Sequence, residues 1–355
     1  MKKEEQRTMR KLMVLTVLIV VISVLTWGGF WALARNPSKV IPLPDFTRPE
    51  AIKIDENQIY ITEDAKIYIF TLKDLKLKKT FGRSGEGPEE FIPRLGHTEI
   101  LIDVQSDYIF VKSLGRVSLF TKQGEFIKVV SKVFGRKFFP FGNRFVALRR
   151  IAENEIIYWV IELYDSNFKR EKEIFKMERN IQIKKNFNLI FNGRERSPLV
   201  YAQNNKIFVE GRNGDRIHVF DHNGTKLYCI EPELEKLAVS GNHKNEIMDI
   251  FKRTRNPAIN RLIKEKGRFP EYFPPIQFYH VIDQRIYVLT YIKDNGKSKF
   301  YIFDLEGKLL KKVFIPFFER DILHHFPYAI SNGKLYQLVD NPGTEEWELH
   351  VEEIK

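Results

Sequence analysis

Short apolar runs alternate with short polar breaks along most of the chain, and the runs have the two-residue period of strands. The clearest stretch is Phe278–Phe314. Tyr279-His-Val-Ile is followed by a polar break at Asp283-Gln284, then by Arg285-Ile-Tyr-Val-Leu-Thr-Tyr, which is rich in β-branched and aromatic residues. Asp294-Asn-Gly296 marks a turn and Lys299-Phe-Tyr-Ile-Phe303 forms the next run. Asp304-Leu-Glu-Gly307 turns again, and Lys308-Leu-Leu-Lys-Lys-Val-Phe314 ends the unit. This pattern predicts four short antiparallel strands joined by tight turns.

The unit recurs. Its second strand reappears as Gln58-Ile-Tyr-Ile, Asp107-Tyr-Ile-Phe-Val, Arg144-Phe-Val-Ala, Lys206-Ile-Phe-Val and Lys334-Leu-Tyr-Gln-Leu. The turn before its fourth strand reappears as Phe120-Thr-Lys-Gln-Gly124 and Phe220-Asp-His-Asn-Gly224, with degenerate copies at Phe70-Thr-Leu-Lys-Asp74 and Tyr164-Asp-Ser-Asn167. Gly, Asn or Asp at the last position suits a residue with positive φ, and Asp at the first can bond its own backbone two residues on. Repeats of roughly 40–50 residues built from four strands are the blades of a propeller. The prediction is an all-β, six-bladed β-propeller of four-stranded antiparallel blades. Blades one to six run Ala51–Gly82, Thr98–Val133, Phe139–Phe175, Leu199–Glu231, Gln277–Phe314 and Phe326–Lys355.

Blade six has only three runs, Tyr328–Ser331, Leu335–Val339 and Glu346–Glu353. A closed ring needs that edge covered. Val40–Phe46 is the nearest spare run, and its prolines are tolerable only at an edge. It is therefore expected to close the ring, within a tether and closing segment spanning 34–50.

In a meander of four-stranded blades, every connection from one blade to the next lies on the same face. These connections are long: Gly82–His97, Ser131–Phe139, Lys176–Ser197, Pro232–Ile276 and Ile315–Pro327. The fourth predicts a short helical insertion, about 232–276. Ile247, Ile250 and Phe251 share a helix face behind the caps Ser240 and Asn242. Asn256-Pro257 reads as a cap and first-turn proline ahead of Ile259, Leu262 and Ile263, and Gly267 ends the helix. Such apolar stripes are expected to pack onto the fold.

The N-terminus breaks the strand pattern. Leu12–Leu33 is 22 residues without a charge, long enough to cross a bilayer as a helix. Residues 1–11 carry Lys2, Lys3, Arg7, Arg10 and Lys11 against Glu4 and Glu5. Positive residues stay on the cytoplasmic side, so 12–33 is expected to be a transmembrane signal-anchor with the propeller, 51–355, on the periplasmic or extracellular face. Trp27 and Trp31 suit the far interface. The alternative is a signal peptide cleaved near Ala34, since Ala32-Leu-Ala34 is a small-x-small site, with secretion of the remainder.

Of the 355 residues, 43% are hydrophobic, which is globular composition with enough apolar material for a sizeable core. The single cysteine, Cys229, lies in the apolar run Leu227–Ile230, which excludes an intrachain disulfide and a thiolate zinc cluster. It is expected to be a small buried hydrophobe.

The most distinctive stretch is Phe81-Gly-Arg-Ser-Gly-Glu-Gly-Pro-Glu-Glu-Phe91. Here the chain resembles the bacterial six-bladed, NHL-like (TolB-like) β-propeller proteins. These carry a Gly-x-x-Gly-x-Gly-Pro-x-Glu-Phe loop near the first blade, matched by Gly82, Gly85, Gly87, Pro88, Glu90 and Phe91. Glu89 stands where the family commonly has glycine. With the repeats, the resemblance covers Ile41–Lys355, and it implies the fold and no particular activity. The loop is expected to be a blade connector and not a nucleotide site, because the third glycine of a dinucleotide fingerprint is missing and Pro88 lacks an amide for phosphate.

No catalytic, cofactor or metal site is nominated. His218 and His222 flank a hairpin turn, and neighbours such as His324 and His325 point apart in an extended segment. There is no Cys/His ligand spacing, no EF-hand loop and no serine elbow.

Charge adds one element. The net charge is +12, falling to +9 without residues 1–34, and the five long connections, the fourth counted from Glu231, together carry +7. Arg83, Glu86, Glu89, Arg136, Lys137, Arg194, Arg196, Arg253 and Arg255 form the candidate binding face. Charged loops are ordinarily just solvated. As a site, this face would suit an anionic glycan, a lipid headgroup or an acidic protein, with nucleic acid excluded by export. The expectation is an exported, membrane-anchored propeller acting as a ligand- or protein-binding module or scaffold, without a cofactor. The alternative is a propeller hydrolase or lyase with its site at the axial mouth, to be favoured if carboxylates or histidines of the inner strands converge there.

Overall fold

The computed structural model describes residues 39–92, 100–105, 107–131, 133, 137–179, 187–189, 198–253 and 257–354. All but Lys39 belong to one compact unit, Val40–Lys355. The run Leu12–Leu33 lies outside the described residues. Among those described, no helix is long and apolar enough to cross a membrane.

Six four-stranded sheets are arranged as blades. Blade one is Ala51–Ile54, Gln58–Glu63, Lys66–Thr71 and Leu77–Phe81. Blade two is Leu101–Val104, Tyr108–Ser113, Arg116–Thr121 and Phe126–Ser131. Blade three is Lys137–Phe141, Arg144–Glu153, Ile156–Tyr164 and Arg170–Glu178. Blade four is Val200–Gln203, Lys206–Glu210, Ile217–Asp221 and Lys226–Ile230. Blade five is Phe278–Ile282, Arg285–Asp294, Lys297–Phe303 and Leu309–Pro316. The first strand of each blade contacts the first strand of the next around the whole circuit, so the ring is closed about an axis lined by these strands.

Blade six contributes Tyr328–Ser331, Lys334–Asn341 and Glu346–Glu353, and the N-terminal strand Lys39–Leu43 pairs with the last of them. The strand begins one residue earlier than the sequence predicts and ends at Leu43, before Pro44. After a turn, Phe46 enters the core, with its ring 4.7 Å from Tyr68. Trp347 Nε1 donates to the Thr47 carbonyl at 2.9 Å, and the buried Glu63 carboxylate accepts from the Thr47 and Arg48 amides. Blades six and one are thereby stitched by a segment contiguous with both.

Each pair of consecutive blades encloses one apolar cluster, because strand alternation gives every blade two apolar faces. Tyr60, Phe91 and Phe120 centre the cluster between blades one and two, and Leu338, Trp347 and Ile61 that between six and one. The turn before the outermost strand joins neighbouring blades. At Gly124, Gly224 and Gly307 the backbone is left-handed, and a Cβ would strike Phe81, Ile174 or Ile230 on the preceding blade's outer strand. Asp165, Asp221 and Asp304 hold these turns by accepting from amides two and four residues on. In the two degenerate copies the left-handed residues are Leu75 and Phe168, one position beyond Asp74 and Asn167. Phe168 stacks on Phe145 at 4.1 Å, so packing outweighs the backbone preference there.

Helices α1, Gly241–Lys252, and α2, Pro257–Lys266, form the insertion between blades four and five. Ser240 and His243 make a reciprocal capping box at the start of α1. Ile247 and Ile263 bury against Leu189, Phe273, Tyr291 and Leu323. The apolar stripes pack onto the fold.

Candidate functional site

The sequence-predicted residues fall into four groups. Arg136, Arg194, Arg196 and Arg255 lie outside the described residues. Arg83, Glu86 and Glu89 sit in the connector between blades one and two, all solvent-exposed, and Arg83 Nε pairs with Glu90 at 2.7 Å. Arg253 is the exposed C-cap of α1. Lys137 is corrected: it opens the innermost strand of blade three, half-buried and paired in register with Leu148, where the sequence placed it in a connection. Strand pairing with Arg144–Glu153 draws two further residues into that strand.

The glycine-rich connector is internally satisfied. Arg116, from blade two, donates to the carbonyls of Glu86 at 2.5 Å, Glu90 at 2.7 Å, and Gly85 and Gly87 at 3.3 Å. The Glu90 carboxylate accepts from the Gly87 amide at 2.8 Å as well as from Arg83, and these bonds hold it below the usual carboxylate range. Gly82 is left-handed, and a Cβ there would lie 2.5 Å from the Phe91 ring and 2.6 Å from the Ala65 carbonyl. The loop is a blade connector built around the buried Phe91.

A site that the sequence did not suggest lies on the axis. Strand register makes one position equivalent in all six innermost strands: Lys53 opposite Tyr60, Asp103 opposite Phe110 and Phe139 opposite Val146. Tyr201 opposite Phe208, His280 opposite Tyr287 and Ala329 opposite Tyr336 complete the set. The six partners on the second strands are all buried and apolar or aromatic. On the innermost strands, every member but Ala329 is half-buried, and the chemistry differs at each step. The sequence signal was available only after alignment of the repeats by register.

These residues converge. Lys53 Nζ lies 3.7 Å from Asp103 Oδ1, which also accepts from the Val104 amide at 3.1 Å. The His280 ring is 5.3 Å from Tyr201 and 4.7 Å from Tyr328. Burial pushes its pKa down to about 3, helped by the positive charges of Lys53 and His325. Blades one and five are not ring neighbours, so the influence of Lys53 on His280 acts across the axis. His280 is therefore neutral at ordinary pH.

The innermost strands begin on the connection face, where an aromatic group packs between blades five and six. Phe278, Phe317 and Tyr328 surround His325, with ring centroids 4.4, 5.9 and 4.9 Å away. His324 turns the other way and pairs with Asp321 at 2.8 Å. Among the described residues, no group of three or more His, Cys, Asp or Glu side chains could hold a metal ion. Cys229 is half-buried beside His218, and burial pushes its thiol up, away from reactivity.

These features define a six-bladed propeller with a chemically varied axial mouth. No family model and no curated protein matches the chain. Solved structures similar to it include a protein of Bacteroides fragilis described as exported, with 13% identity, 90% of this chain and 95% of that chain covered and a TM-score of 0.46. Another is a member of the DUF4221 family from Bacteroides vulgatus, at 12% identity, 90% and 98% coverage and a TM-score of 0.46. Hsv2 of Kluyveromyces lactis is similar at 11% identity, 90% and 75% coverage and a TM-score of 0.39.

Proposed function

We propose that the chain is an exported, membrane-anchored binding module of the NHL-like propeller type, whose axial mouth takes an anionic ligand with an apolar face. The observation that carries this reading is the equivalent ring Lys53, Asp103, Phe139, Tyr201, His280 and Ala329. A ring serving only closure has no need of six different side chains in front of a uniform apolar layer. Lys53 offers a cation, Phe139 and Tyr201 offer flat surfaces, and neutral His280 can donate or accept one hydrogen bond. Acidic sugars combine these requirements. The basic residues of the connection face, Arg194, Arg196, Arg253 and Arg255 among them, would steer such a ligand to the mouth.

The test is calorimetric titration of the full chain in detergent with an acidic oligosaccharide, against its neutral counterpart. Selective binding of the acidic sugar is expected. Lys53→Met should weaken it about 10–100-fold, the worth of a charge-assisted hydrogen bond. Reversing the four arginines to glutamate should weaken it further at low salt and little above about 0.15 M, where screening acts within roughly 8 Å. Equal affinities for wild type and Lys53→Met would sink the reading. Release of shorter products during incubation would instead favour a hydrolase or lyase.

A further inference from the structure

A second surface lies on the outer rim, away from the axis. Where blades six and one meet, an apolar cavity of about 150 Å³ is lined by the closing strand on one side and by Tyr68, Phe70, Leu75 and Leu77 on the other. Leu77, which lines this groove, is 52% exposed. Immediately around Leu77 the chain reads Lys73-Asp-Leu-Lys-Leu-Lys-Lys79, and all four lysines are exposed. Among the described residues, only Lys76 has an acidic partner close by, Asp74 at 3.6 Å, while Asp45 lines the groove itself.

We propose that this rim is a lipid-docking surface: the lysines engage anionic headgroups while Leu77 and the groove accept acyl-chain carbons. The proposal rests on the membrane-anchor reading of Leu12–Leu33. Seven peptide steps separate Leu33 from Val40, so a fully extended link spans at most about 25 Å. The bilayer is thus the apolar phase that chain length keeps within reach of the groove. Clustered lysines beside exposed apolar residues are the two signals that surface attachment requires.

The experiment places an environment-sensitive fluorophore on Leu77→Cys in the full chain, with Cys229 changed to serine, reconstituted in vesicles of about 30% anionic phosphatidylglycerol with brominated acyl chains. The same label on Leu227→Cys, on the outer strand of blade four across the ring and 47% exposed, is the control. Flotation of the intact chain with vesicles checks the anchor by itself. Given flotation, strong quenching at Leu77 and little at Leu227 is expected. The Leu77 signal should fall when Lys73, Lys76, Lys78 and Lys79 become glutamate, or in vesicles of neutral lipid only. Flotation without quenching at Leu77, or equal quenching at both sites, overturns the rim. Cleavage near Ala34 with no flotation overturns the anchor reading, and the proposal with it.

Discussion

Ring closure by Phe46 can be tested quantitatively. The side chain is 6% exposed and sits 4.7 and 6.2 Å from the rings of Tyr68 and Phe70, among Ile52, Ile59, Ile61, Trp347 and Leu349. Removing a buried phenylalanine ring costs about 3–5 kcal/mol. The rim cavity already borders Phe46, so fewer contacts are lost than in a fully enclosed core, and about 3 kcal/mol is the better figure. Unfolding entropy near 2.1 cal/mol/K per residue over roughly 300 residues gives about 0.65 kcal/mol/K. Phe46→Ala should therefore lower Tm by about 4–5 °C in differential scanning calorimetry, provided the six blades melt together. Trp347→Phe, which loses the bond to the Thr47 carbonyl and part of the buried indole, should cost about 2 kcal/mol, or about 3 °C. Leu227→Ala, on an exposed outer strand, should shift Tm by less than about 1 °C. The latch would be refuted if Phe46→Ala behaved like Leu227→Ala. Two separate transitions in wild type would show that closure does not couple the blades.

Arg116→Met leaves four connector carbonyls without their shared donor, and should lower Tm by about 3–5 °C while Glu86→Ala, whose side chain is exposed, leaves it unchanged. His280 titrates near pH 3 in the fold but at about 6.5 when unfolded. Between those values the unfolded chain binds the extra proton, so stability is fully present above about pH 6.5 and is lost as pH falls toward about 3. A Tm series across that window should fall more gently for His280→Gln than for wild type, and parallel curves would remove His280 from the account.

The blades were legible because their signals are local. Two-residue alternation names a strand, and an Asp followed three residues later by Gly names its turn, both inside ten consecutive residues. The insertion helices were legible for the same reason, through Ser240 at one start and Pro257 at the other. Even the closing strand could be inferred, since three runs in blade six left one edge open. The details that escaped were those in which local preference yielded to packing. Leu75 and Phe168 took the left-handed turn positions, and Lys137 joined a strand because Arg144–Glu153 offered it hydrogen bonds. The axial ring and the lysine-flanked groove belong entirely to the tertiary structure. Lys53, Asp103 and His280 are dozens to hundreds of residues apart, each unremarkable in its own strand, and only closure of the circle sets them around a common axis. In the same way, Leu77 and Ile41 line one groove because the closing strand returns to complete the last blade.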